Sequence, residues 1–276
     1  MRRFIVLVCF ISAFTAKSQY YFKDILLTRQ NQENWKTYHD KKVREVDIHS
    51  IDANDEMTPG FICNLRISPD FSTITTFTKS NDIAASTLQA FYDTHGWMIK
   101  TIDTSDSYNS TTDYSYNPQG EILSMNNTSL ETDNRVSVSE KHLWKYEKGK
   151  PVQMIKIKDG TDTTLVSFTL DEKGNIAEER SVHGGLSLPT IYYYYNADSR
   201  LTDIVRYNQK AGRLLPDFVF EYNYDRISSM LLVPTGSTDY QKWVYTYNSN
   251  GLKEGEICYD KKKQVVVKIN YTYSFQ

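Results

Sequence analysis

An all-β, antiparallel fold is the class this sequence predicts, and three observations predict it. After residue 85 a unit of aromatic, any residue, aromatic, turn and aliphatic residue recurs at a period of about 25 residues. Apolar and polar residues alternate through the segments between the turns, the period of a half-buried strand. Most turns place Asn, Asp or Glu after the aromatic and Gly soon after it, the chemistry of a β-hairpin.

The first element is no part of that fold. MRRFIVLVCFISAFTAKSQ opens with Arg2 and Arg3, continues as an apolar run from Phe4 to Phe14, and offers small residues at Ala16 and Ser18. Residues 1–18 therefore read as a secretory signal peptide with cleavage before Gln19. The run is too short to span a bilayer. Export follows, to the periplasm, the cell surface or the medium, with no membrane span once the signal is removed. Residues 19–276 carry 29 basic and 34 acidic side chains, a net charge of −5. The charges are interspersed, and no basic patch suited to nucleic acid is present.

Residues 19–84 read as degenerate N-terminal β repeats or a cap, continuous with the β domain that follows. FICNLRISPDFSTITTF, from Phe61, is strand, Ser-Pro-Asp turn and strand. Asp24 to Tyr38 can hold a short helix, and no long helix is evident elsewhere.

Residues 85–276 hold the repeats. The turns read YDTHGWM from Tyr92, YNPQGEI from Tyr116, YEKGKPV from Tyr146 and LDEKGNI from Leu170. They continue as YNADSRL from Tyr195, YNYDRI from Tyr222 and YNSNGLK from Tyr247, and a last aromatic pair ends at Tyr273. A period of this length fits two strands and two connections. The last strand shows the phase: Val265, Val267, Ile269, Tyr271, Tyr273 and Phe275 share one face, Val266, Lys268, Asn270, Thr272, Ser274 and Gln276 the other. The same phase buries Trp243, Tyr245, Phe218, Phe220, Tyr222, Trp144 and Tyr146. The Tyr-x-Tyr pairs therefore read as core, with hydroxyls that need partners. Return strands such as NIAEERSV alternate poorly and leave their facing open.

YNADSRLTDIVRY, from Tyr195, resembles the YD repeat of the RHS and teneurin-like families. Tyr195, Arg200, Leu201 and Thr202 match the pattern, while Asn196 and Ser199 replace the usual Asp and Gly. The resemblance implies an array of antiparallel hairpins, which large members of those families wind into a hollow shell. It implies no activity for a chain of this length.

Some 14 to 18 strands, a rough tally from the repeat, make a sheet wide enough to curl on itself, as a barrel, a sandwich or a bent trough. No helix is expected to cover its apolar face. Cys63 and Cys258 are the cysteines outside the signal, and either a disulfide or two separate buried thiols is compatible with export. A bridge would rule out an open sheet, because its ends would lie too far apart.

No catalytic, phosphate-binding or metal-binding motif is present, and no cofactor is expected. His39, His49, His95, His142 and His183 form no metal-ligand spacing, and turn or core roles suit His95 and His142. Asp103, Asp106 and Asp162 lie in polar stretches better explained by turns than by Ca²⁺. The function that remains is an exported, non-enzymatic β-repeat module of the bacterial envelope, structural or binding a glycan or a surface protein. The alternatives are an exported glycan-acting hydrolase, its acids drawn from distant strands, and an outer-membrane β-barrel. Oligomeric state is not encoded in any motif. Tyr192 and Tyr194 are the candidate binding residues: in IYYYYN they point away from the core phase of Tyr193 and Tyr195, where sibling strands carry Lys, Thr or Asn.

Overall fold

The computed structural model describes residues 20–81, 84–131, 136–209, 211–234, 237 and 239–276. The signal peptide expected over residues 1–18 lies outside them. One helix, α1 (Lys23–Lys41), precedes nineteen strands. They are β1 (Val43–Asp52), β2 (Ile62–Ile67), β3 (Thr73–Lys79), β4 (Ser86–Tyr92), β5 (Met98–Ser105), β6 (Tyr108–Tyr116), β7 (Ile122–Glu131), β8 (Ser137–Glu147), β9 (Lys150–Lys158) and β10 (Asp162–Leu170). After these come β11 (Ile176–His183), β12 (Leu186–Ser187), β13 (Ile191–Tyr195), β14 (Leu201–Asn208), β15 (Arg213–Asn223), β16 (Arg226–Leu232), β17 (Gln241–Tyr247), β18 (Lys253–Asp260) and β19 (Val265–Phe275).

Consecutive strands pair antiparallel around a closed ring of 18, with the two-residue β12 set against β11 and β13 taking its place beside β11. The ring is sealed by β1 and β19, from Val43 opposite Phe275 to Asp52 opposite Val267. Of the three shapes the sequence allows, the barrel is the one adopted. Closure pairs every strand of the ring on both sides among the described residues, and it needs no disulfide. Neither Cys63 nor Cys258 is in a disulfide, and both are buried. Cys63 lies on β2 and Cys258 on β18, with β1 and β19 between them. Three strand spacings of about 4.8 Å exceed the span of a bridge. Of the two alternatives the sequence left open, the disulfide is thus corrected and the two separate buried thiols hold.

The repeat geometry explains the recurring residues. In each Asx turn the first side chain accepts from the backbone two and four residues on: Asn117 Oδ1 from Gln119 and Glu121 (3.0 and 2.9 Å), Asn196 Oδ1 from Asp198 and Arg200 (both 3.0 Å). Asp93, Asp171, Asn248 and Asp260 do the same. The register slips beside every anchor, as between Tyr194 and Tyr195, because each return strand carries one extra residue, a β-bulge. The anchor tyrosine then reaches back to the preceding hairpin. Tyr116 donates to Met98 O (2.8 Å), Tyr195 to Ile176 O (2.9 Å), Tyr222 to Leu201 O (2.8 Å), Tyr247 to Ile227 O (3.0 Å) and Tyr273 to Lys253 O (2.6 Å). These anchor hydroxyls find their partners on backbone, while those of Tyr193 and Tyr271 donate to the carboxylates of Glu179 and Glu256.

A second latch runs forward. The residue closing one turn lies against the left-handed position of the next: Trp97 against Gly120, Asn175 against Ser199, Arg200 against Tyr224 O, Arg226 against Gly251. Gly120 (φ +80°) is fixed twice over, by its backbone and because a Cβ there would stand 3.0 Å from the Trp97 ring. Gly120→Ala is expected to cost about 1–3 kcal/mol, read as a lower urea midpoint at unchanged slope.

Side chains facing the lumen form most of the core, and α1 joins them. Tyr20, Tyr21, Phe22 and Ile25 are buried with Trp144, Met154, Tyr193, Ile204, Phe218 and Trp243. Further along the helix, Trp35 Nε1 donates to Phe71 O (2.8 Å) and His39 packs on the Phe71 ring. Two expectations change here. The short helix runs 19 residues, within a stretch otherwise read as β. A helix does cover part of the apolar face, from inside the barrel.

Candidate functional site

Two places carry more chemistry than packing requires, one in the lumen and one outside.

The lumenal place follows from the bulges. On a return strand the first residue faces inward, the second is the bulge, and the next inward position is the fourth. That slot holds Thr101, Met125, Met154, Ile204 and Met230, but Glu179 and Glu256 in two repeats. Glu179 is 1% exposed. Its carboxylate accepts from the N–H groups of Tyr21 (2.9 Å) and Phe22 (3.0 Å) and from the Tyr193 hydroxyl (2.8 Å). Burial raises its pKa to about 7, against the pull of those donors.

Beside it lies a chain of alternating charge. His142 Nδ1 stands 2.6 Å from Asp24 Oδ2, and His142 Nε2 stands 3.0 Å from Glu140 Oε1. Lys156 Nζ pairs with Glu140 Oε2 at 2.8 Å, and Trp144 Nε1 donates to Asp24 Oδ2 at 3.3 Å. With a carboxylate at each nitrogen, both His142 nitrogens donate and the ring is an imidazolium. Burial pulls the His142 pKa down, but the Asp24 and Glu140 carboxylates outweigh it and lift it to about 9. The rings of Tyr21, Phe22 and Tyr20 pack on His142 (5.6 Å), Tyr193 (5.1 Å) and Phe218 (5.9 Å). Acid and base are present, yet each is spent on a protein partner. Asp24, His142 and Glu179 hold the N-terminal segment inside the barrel.

The outer place is β13. Tyr193 is buried and Tyr195 half-buried against the core, while Tyr192 is half-buried and Tyr194 48% exposed on the other face. Tyr192 stands opposite Glu178 on one side and Val205 on the other, and Tyr194 opposite Asp203. A shallow depression of about 640 Å³ opens here, lined by Tyr192, Tyr194, Glu172, Lys173, Glu178 and Asn196. Two rings at alternate positions of one strand sit about 6–7 Å apart along it. They present apolar surface beside carboxylate and amide groups.

The other residues named from sequence have local roles. Asp93 bonds His95 in its turn, and the His95 ring stacks on Trp97 at 4.7 Å. Asp103 accepts from the Tyr108 hydroxyl (2.8 Å), and Asp162 pairs with His183 (3.3 Å). Among the described residues no group of three or more His, Cys, Asp or Glu is placed to hold a metal ion. Sequence reasoning missed Asp24, Glu140, Lys156, Glu179 and Glu256. The one available signal was the broken alternation of the return strands.

No protein-family model matches the chain, and no curated protein matches it. Among solved structures it is similar to a porin-like protein from Bacteroides uniformis, at 8% identity over 85% of this chain and 97% of that one, with a TM-score of 0.41. A porin-like protein from Bacteroides vulgatus gives 11% identity over 84% and 98%, with a TM-score of 0.30. The periplasmic gluconolactonase PpgL of Pseudomonas aeruginosa gives 10% over 84% and 100%, at 0.21. Likeness at this level carries no functional argument; the barrel stands on its own strand pairing.

Proposed function

We propose that the chain is an exported, non-enzymatic β-barrel module of the bacterial envelope whose binding surface is the outer face of β13, and that its ligand is a glycan. The observation that carries this is the exposure of Tyr194 beside Tyr192 over a depression edged by Glu178 and Asn196. Sugar rings offer C–H faces to aromatic rings and hydroxyls to carboxylates and amides. The hydrolase alternative loses its motive, because the carboxyl raised to about 7, Glu179, is enclosed by the N-terminal segment. The kinship with YD-repeat proteins belongs to the same proposal, supported by the Asx turn at Asn196.

A glycan array with residues 19–276, wild type against Tyr192→Ser/Tyr194→Ser, tests it. The double variant is expected to lose about tenfold or more in affinity, roughly 1.4 kcal/mol. Binding unchanged while stability falls means the two rings only pack across strands.

A second reading, an outer-membrane barrel, draws on one observation. Leu143, Ile155, Leu165 and Val182 face outward and stand opposite one another across four strands. The row is local, however. The outer face elsewhere carries the pairs Lys100–Asp113, Arg180–Glu178 and Lys242–Glu221, unlike a continuous lipid-facing band. The same preparation separates the readings, since a binding module stays in solution without detergent.

A further inference from the structure

We propose that the glycan held at β13 is one whose sugars carry free amino groups, bound as ammonium. The inference rests on the glycan reading above and names the class of sugar that the same surface selects. Its basis is a carboxylate beside each ring. Glu178 of β11 stands directly opposite Tyr192, and Asp203 of β14 directly opposite Tyr194, one on either side of the strand. Side chains so placed are neighbours, with Cβ atoms about 4.5–5.5 Å apart. Glu172 lines the same depression.

The surroundings leave those carboxylates poorly balanced. Elsewhere on the outer face a carboxylate pairs with a lysine on another strand: Asp113 with Lys100 (3.4 Å), Glu221 with Lys242 (3.0 Å). Around β13 the cross-strand neighbours bring no cation. Glu178 has Thr169 on its other side, and Asp203 has Val219. Arg180, two residues along β11, bonds Glu178 Oε2 at 2.6 Å. Its side chain is 63% exposed, however, and a pair so open to water contributes little. The Lys173 ammonium is engaged by Ala197 O at 2.8 Å.

An ammonium group meets this surface twice over. A carboxylate attracts it and accepts its N–H groups. The face of a tyrosine ring attracts a cation through its quadrupole. A uronate or a sulfated sugar instead meets Glu172, Glu178 and Asp203 with like charge. An N-acetylated amino sugar keeps the apolar C–H face that stacks on a ring but lacks the charge that the carboxylates select. The rings therefore hold a sugar of any kind, and the carboxylates choose among sugars.

Calorimetric titration of residues 19–276 tests this with probes of equal length: oligosaccharides of glucosamine, of N-acetylglucosamine and of galacturonic acid, in a mildly acidic buffer that keeps the amine protonated. The glucosamine chain is expected to bind about tenfold or more tighter than the acetylated one, by a margin that narrows as salt is raised. The galacturonate chain is expected not to bind. Glu178→Gln/Asp203→Asn is expected to bring the glucosamine and N-acetylglucosamine affinities within about threefold of each other. The two chains bound alike by the wild type, or galacturonate bound most tightly, overturns the inference and leaves the glycan reading standing. A preference for glucosamine that survives Tyr192→Ser/Tyr194→Ser also overturns it, since the binding then lies elsewhere. No binding of any probe, nor of any other glycan on the array, removes the glycan reading and this inference with it. Should the Glu178→Gln/Asp203→Asn protein not fold, the wild type decides: a margin unchanged by salt overturns the inference.

Discussion

Asp24→Ala is expected to destabilise the protein by about 3–5 kcal/mol, the cost of removing one partner from a buried ion pair. Asp24 is buried at the start of α1 and accepts from both His142 and Trp144. Without it the His142 imidazolium keeps only Glu140, and the Trp144 N–H loses its acceptor. The effect should also be local. Tyr20, Tyr21, Phe22 and Ile25 reach the core only as one segment, tied by Asp24 at one point and by Glu179 at another. Loosening the first tie should expose Lys23 and Arg29 to trypsin before the barrel unfolds. Asp24→Asn keeps an acceptor oxygen and removes the charge, so a smaller loss of about 1–2 kcal/mol is expected. Guanidinium unfolding and limited proteolysis measure both. If Asp24→Ala stays within about 1 kcal/mol of wild type and its segment remains protected, apolar packing alone holds the plug.

What the sequence shows of this barrel follows from which forces are local. Tyrosine phase, the Asx turns and the left-handed glycines are set by residues within one hairpin, and all could be read directly. So could the split of IYYYYN into Tyr193 and Tyr195 within and Tyr192 and Tyr194 without. The facing of IAEERSV could not. Ala177 is the bulge residue between Ile176 and Glu178, so a period of two counted through it puts Glu179 on the wrong face. Every return strand repeats this fault, which is why alternation looked weak there.

The plug was illegible for a different reason. α1 is mostly polar along its length and shows only a weak apolar stripe. Its docking rests on Glu179 and His142, 157 and 118 residues from the groups they hold. Nothing near Asp24 in sequence announces those partners. Closure was half legible: the apolar face demanded a cover, but the choice of β1 as the partner of β19 depends on a nine-pair register that neither strand specifies alone. Cys63 and Cys258 illustrate the same limit. The sequence left a bridge and two separate thiols both open, and only the two strands between them keep the pair apart.

The buried groups also fix how stability should vary with pH. Glu179 has its pKa raised from 4.5 to about 7, chiefly by burial. The folded state therefore holds that proton more tightly than the unfolded state. The contribution is complete below 4.5 and is lost as pH rises through 7. His142 is raised from 6.5 to about 9, because Asp24 and Glu140 outweigh the opposing effect of burial. Its contribution is complete below 6.5 and is lost as pH rises through 9. Glu140 runs the other way: burial pushes it up, but His142 and Lys156 bring it down to about 2. Its contribution is present above 4.5 and is lost as pH falls through 2. The three together place maximal stability near pH 4.5–5, with a decline on the order of 3 kcal/mol for each of Glu179 and His142 on the way to pH 10. Unfolding midpoints measured at steps of about one pH unit, from just above the Glu140 value of about 2 to just above the His142 value of about 9, should trace that asymmetric curve. His142→Gln should remove the upper limb, between about 6.5 and 9, and leave the limb due to Glu179. A curve flat from pH 5 to 9 would mean that neither group changes its proton affinity on folding, and that the lumenal charges are solvated rather than enclosed.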